Sequence, residues 1–85
     1  MPEYLAELYL TPAGHDGFAD AARRVRAAAG EMGLQGTPVR CLEALFVPED
    51  ETCLFRLEAA DANLVRELGE RAAVRFAHVA PAIAG

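Results

Sequence analysis

The chain has no lysine, two histidines, two cysteines and no apolar run near the roughly 20 residues a membrane-spanning helix requires. Each shortage narrows the field. Eight arginines face thirteen acids, giving a net charge of −5 and a pI of about 4.9. Nucleic acids and anionic membrane surfaces draw affinity from a basic face, so neither is expected as a partner. Arg23, Arg24 and Arg26 form the one basic cluster, and it reads as the solvated side of a helix. The start "MPEYLAELYL" carries two glutamates and lacks the basic opening and small-residue cleavage site of a secretory signal. The expected location is therefore cytoplasmic, where Cys41 and Cys53 stay reduced. Their spacing fits no zinc pattern. Abundant alanine without lysine suggests a GC-rich bacterial genome.

What is present is apolar residue, at 53% of 85 positions. This length supports one domain, residues 1–85, and buries only about 60–65% of the surface an unfolded chain exposes. Association would use the surplus.

"EYLAELYL" alternates as a strand, with Tyr4, Ala6, Leu8 and Leu10 on one side and Glu3, Leu5, Glu7 and Tyr9 on the other. "TPAGHDG" breaks the chain. In "FADAARRVRAAAGEMGL", Phe18, Ala21, Ala22, Val25, Ala28, Ala29 and Met32 fall at helical spacing. Asp16 is the expected N-cap, Gly33 or Gly36 the C-cap, and Gly30 a weak point in the last turn.

"TPVRCLEALFV" and "TCLFRLE" flank "PEDE" and predict a hairpin pairing Val47 with Thr52, Phe46 with Cys53 and so on outward. That register gathers Leu42, Ala44, Phe46, Cys53, Phe55 and Leu57 on one face. It sends Cys41, Glu43, Leu45, Val47, Thr52, Leu54, Arg56 and Glu58 to the other, with Glu43 across from Arg56. The two cysteines are thus expected on opposite faces, Cys53 in the core and Cys41 partly exposed. "PEDE" lacks calcium-loop spacing and reads as a solvated turn. A second helix, "ADANLVRELGERA", is capped by Asp61, with Leu64, Val65, Leu68 and Ala72 inward. "VRFAHVAPAIA" reads as a last strand, and Pro81 places it at an edge.

The order β-α-β-β-α-β predicts an α+β, ferredoxin-like sandwich, with two helices on one face of a four-stranded antiparallel sheet. The first and third strands are expected in the centre. The uncovered face would carry Leu5, Tyr9, Leu45, Val47 and Leu54 among Glu3, Glu7, Glu43 and Arg56, an apolar patch that predicts a homodimer joined sheet to sheet.

The segment "GTPVRCLEALFVPEDETCLFRLEAADANLVRELGERA", above all its "FVPEDETC", resembles a small bacterial family labelled a domain of unknown function, one branch of which is called nickel-binding protein. The resemblance implies a ferredoxin-like fold, paired subunits and a transition metal such as nickel.

The candidate ligands are few. His78 in the last strand would neighbour Glu3 or Glu7 if it points to the open face, a donor set suited to nickel, zinc or copper, with a dimer axis supplying a second set. His15 and Asp16 precede the first helix, and they are expected on the same edge as Asp61 and Asn63. His15 there would join a surface metal site or a small-ligand rim. The leading reading is a dimeric, non-enzymatic binding protein for a divalent transition metal. The alternative is a small enzyme or small-molecule carrier whose cavity between paired sheets is lined by Tyr9 with Glu7 or Glu43, a buried carboxylate acting as general base.

Overall fold

In the computed structural model, which describes residues 1–9 and 14–83, the elements follow the expected order. They are β1 (Glu3–Tyr9), α1 (Gly14–Leu34), β2 (Val39–Val47), β3 (Thr52–Ala59), α2 (Ala62–Ala72) and β4 (His78–Ala82). The sheet runs β2-β3-β1-β4, all antiparallel where paired. The fold is α+β and ferredoxin-like, with β1 and β3 central. The Cα envelope measures 35 × 30 × 17 Å. Its short dimension is that of one sheet layer plus one helix layer, so the far face of the sheet is bare.

The core lies between these layers. Ala21, Ala22, Val25, Ala28, Ala29 and Met32 of α1 and Val65, Leu68 and Ala72 of α2 are buried against Tyr4, Ala6, Leu8, Phe55 and Leu57. Alanine at so many α1 positions brings the helix close to the sheet. Phe18 at the start of α1 stacks on Phe46 of β2, centroids 5.6 Å apart. α1 begins at Gly14, so Asp16 sits within the first turn and is not the N-cap. The helix runs through Gly30 and Gly33, and Gly36 takes the left-handed position at φ 82°. Thr37 N–H donates to Met32 O and Gly36 N–H to Gly33 O, closing a Schellman motif. α2 starts as expected, with the Asp61 carboxylate accepting from Leu64 N–H at 3.0 Å. It ends on Ala73, left-handed at φ 56° without being glycine. Arg24 of α1 donates to Ala73 O at 3.1 Å. One member of the basic cluster therefore ties the helices together and is not merely solvated.

The hairpin holds its expected register from Val47–Thr52 to Glu43–Arg56. Beyond that a β-bulge intervenes, and Cys41, not Leu42, lies across from Leu57. The extra residue turns Cys41 and Val39 to the helix side and carries Arg40 to the open face, where it meets Glu58 at 3.3 Å. The expectation that the cysteines face opposite ways is corrected: both lie on the core side, and Leu42 leaves the core set. The turn Pro48–Asp50 is a single 3-10 turn closed by Glu51 at φ 50°.

Two further expectations change. β4 begins only at His78, because Val74 and Phe76 pack inward beneath α2 before the chain reaches the sheet. His78 therefore does not share a face with them. The helix starts also separate. β1 and β3 are antiparallel, Glu3 opposite Glu58 and Tyr9 opposite Thr52, so the chain leaves them at opposite ends of the sheet. Asp16 at the α1 start and Asp61 at the α2 start cannot share an edge.

Candidate functional site

The open face is built by alternation. β1 sends Glu3, Leu5, Glu7 and Tyr9 away from the helices, β3 sends Leu54, Arg56 and Glu58, and β2 sends Glu43, Leu45 and Val47. β4 adds His78, Ala80 and Ala82, opposite Glu7, Leu5 and Glu3. The face divides in two. At one end Arg56 bridges Glu3 at 2.9 Å and Glu43 at 3.6 Å, and the hydrogen bond to Glu3 raises the pKa of a guanidinium that is already permanently charged. At the other end, a shallow concavity of ≈ 440 Å³ is lined by Glu7, Tyr9, Val47, Asp50, Thr52 and Leu54. Tyr9 is 60% exposed and Leu45 49%, the most exposed large apolar side chains of the sheet. The Tyr9 hydroxyl lies 3.4 Å from Glu7 Oε2, at the limit of a hydrogen bond that would orient the carboxylate.

Of the expected ligands, two come together. Glu7 and His78 are direct cross-strand partners, and the Ala77 N–H donates to Glu7 O at 2.7 Å, fixing the register beside them. Glu3 lies four residues away along β1, about 13 Å at the rise of a strand, opposite Ala82 and engaged by Arg56. It is separated from His78. The His15 side chain lies outside the described residues. Tyr9 lines the concavity with Glu7, whereas Glu43 belongs to the Arg56 cluster. Among the described residues no group of three or more histidine, cysteine or acidic side chains converges. One chain thus presents an imidazole and a carboxylate, which is half of a tetrahedral donor set.

The thiols stand apart from this face. Burial pushes the Cys53 thiol up to about 11, and its side chain is wholly enclosed in the core. Burial raises Cys41 as well, opposed by nearby Arg26, while the thiol donates to Glu43 O at 3.8 Å. A thiol with a raised pKa stays protonated as pH climbs through the ordinary value near 9, so the nucleophilic thiolate is withheld. With a disulfide reagent at pH 8, Cys41 is expected to react slowly and Cys53 only as the protein unfolds. Two fast-reacting thiols in the native protein would contradict this placement.

The chain matches no protein-family model and none of the curated proteins. Among solved structures, the crystal structure of SCO4226 from Streptomyces coelicolor A3(2) is similar, with a TM-score of 0.78 over 98% of both chains and 15% identity. At that identity the likeness shows a shared fold and nothing of chemistry. No helix of the described residues is long and apolar enough to cross a membrane.

Proposed function

We propose that this protein is a homodimeric binding protein. Its open sheet faces pack together, and the Glu7–His78 pair of each subunit contributes to one site for a divalent transition metal such as nickel or zinc. The observation that carries this reading is the register: Glu7 and His78 are opposed across β1 and β4 on the uncovered face. A carboxylate and an imidazole from each of two subunits complete four donors.

Charge supports the same arrangement. Glu3, Glu7, Glu43 and Glu58 against Arg40 and Arg56 leave each open face at −2 with His78 neutral. Two such faces repel, and a divalent cation between them offsets part of that repulsion. Leu5, Leu45, Val47, Leu54 and Tyr9 supply the apolar contact. The resemblance of the "FVPEDETC" segment to a family with a nickel-binding branch points the same way. The role is binding, in a cytoplasmic protein of bacterial type.

A second reading is favoured by the concavity around Glu7 and Tyr9. A second sheet laid across it would enclose a small molecule, and the same dimer would then be a carrier or a small enzyme with Glu7 as its base.

The test pairs sedimentation with calorimetric titration of tag-free protein by nickel and zinc. The expected result is a dimer binding one ion per two chains, micromolar or tighter. His78→Ala and Glu7→Gln should each abolish the heat, and Leu54→Glu should yield folded monomer that binds no metal. A wild-type dimer that takes up neither metal overturns the metal reading and leaves the enclosed cavity. A wild-type monomer at all concentrations overturns both.

A further inference from the structure

A second cleft lies away from the open face. It lies between α2 and the segment leading into β4, encloses ≈ 500 Å³, and is lined by Arg66, Gly69, Glu70, Val74, Arg75, Phe76, His78 and Val79 among others. That volume falls within the range of about 300–1,000 Å³ typical of small-molecule sites.

Its charge sets it apart. Five of the eight arginines are held in ion pairs: Arg23 and Arg24 by Asp20, Arg40 by Glu58, Arg56 by Glu3 and Glu43, and Arg71 by Glu67. Arg26 stands beside the Cys41 thiol. Among the described residues, only Arg66 and Arg75 remain without an acidic or hydrogen-bonding partner, and both line this cleft. Glu70 is its single acid, so in a protein of net charge −5 this is a locally cationic pocket. Arg66 and Glu70 stand at the i, i+4 spacing that commonly forms a helix ion pair, yet they form none. The guanidinium is left for something else.

The negative end of α2 is partly covered. Ala73 N–H donates to Glu70 O, Val74 N–H to Gly69 O at 3.0 Å, and Arg24 to Ala73 O. Two of the last-turn carbonyls, Gly69 O and Glu70 O, are thus occupied, which weakens their repulsion of an anion. The wall is apolar and aromatic. Phe76 is half-buried against Phe55, and its Cδ2–Cε2 edge comes close to the helix because Gly69 has no Cβ. A planar ring can rest on Phe76 and the valines while its anionic group meets the two guanidiniums, whose forked donors match carboxylate or phosphate oxygens.

The geometry points to this cleft as a binding site for a small organic anion with a planar apolar part, an aryl carboxylate or aryl phosphate. Of the Glu7–His78 pair the site shares His78 alone, at its rim.

The test is titration of isotope-labelled protein, in EDTA throughout, with benzoate, phenyl phosphate and the neutral benzamide, followed by amide chemical shifts. Saturable shifts confined to α2 and residues 74–79 are expected for at least one anion, and which one responds decides between carboxylate and phosphate. Benzamide should bind at least about tenfold more weakly, as should the anion to Arg66→Gln and to Arg75→Gln, the loss that accompanies removal of one charge-assisted hydrogen bond. Arg71→Gln, which removes an arginine of the same helix that is paired with Glu67 and lies outside the cleft, should leave the anion affinity unchanged. Equal binding of benzamide and benzoate overturns the assignment. So does undiminished affinity in the doubly substituted Arg66→Gln, Arg75→Gln protein, or the lack of any saturable shift in the cleft.

Discussion

Phe55→Ala is expected to cost about 3–5 kcal/mol, the range for truncating a fully buried aromatic side chain. A chain of 85 residues has a total stability of roughly 4–13 kcal/mol, so this one change removes between about a quarter and all of it. The reason is position. Phe55 is wholly buried on β3, a central strand, between Ala6 of β1 and Ala44 of β2 in register. Small residues on either side leave the ring to fill the space beneath the helices alone. Phe76 lies 5.9 Å away and tilted by 59°, an aromatic contact that is lost as well. Urea unfolding of the two proteins measures the difference directly. A loss below about 1.5 kcal/mol would mean that neighbours collapse into the space, contrary to close packing of this layer.

Gly69→Val is expected to be the second most damaging substitution, at about 3 kcal/mol, near the upper end for overpacking. A Cβ at this position would stand 2.9 Å from Phe76 Cδ2 and 3.3 Å from Val74 O. The ring has Phe55 on its other side, and Val74 O belongs to backbone held by the Val74–Gly69 hydrogen bond. Helix propensity works in the opposite direction, since valine improves on glycine by less than about 1 kcal/mol in a helix interior. The clash prevails because neither obstacle is the free end of a flexible chain. Phe76→Ala should relieve most of it, so the double variant is expected to be more stable than the sum of the single losses predicts. Strict additivity would show that Phe76 is not the obstacle.

The sequence made the hairpin legible because its alternation breaks if the strands slip. Glu43 across from Arg56 and Phe46 across from Cys53 both depend on the same offset. The bulge gave no such signal. Cys41 and Leu42 are adjacent and both apolar, so either can face the core without interrupting the pattern. The start of β4 is hidden for a related reason. Val74, Phe76, His78 and Ala80 share a parity that a continuous strand would keep. The chain instead uses Val74 and Phe76 to cover Gly69 and Phe55, then enters the sheet with its phase reset. Ala73 adopts the left-handed turn without the glycine that would have marked it.

The candidate sites divide the same way. Glu7 and His78 were foreseeable as neighbours from strand order, but their exact pairing needed the true start of β4. Arg66 and Arg75 could be seen in the sequence only as two of eight scattered arginines. What distinguishes them is which other arginines are already neutralised, and that is a property of the folded chain.

The pairing of β1 with β4 also fixes how this edge of the molecule comes apart. Glu3 at the start of β1 lies beside Ala82 at the end of β4, so the chain enters β1 and leaves β4 at the same end of the sheet. Tension between the two ends would not shear the ladder as a block but peel it, pair by pair, from Glu3–Ala82 inward. The Glu7–His78 pair is the last in that sequence, with the 2.7 Å Ala77–Glu7 hydrogen bond just beyond it. Glu7 and His78 are therefore at the hinge of the zipper, the last pair to part when β4 is pulled from β1.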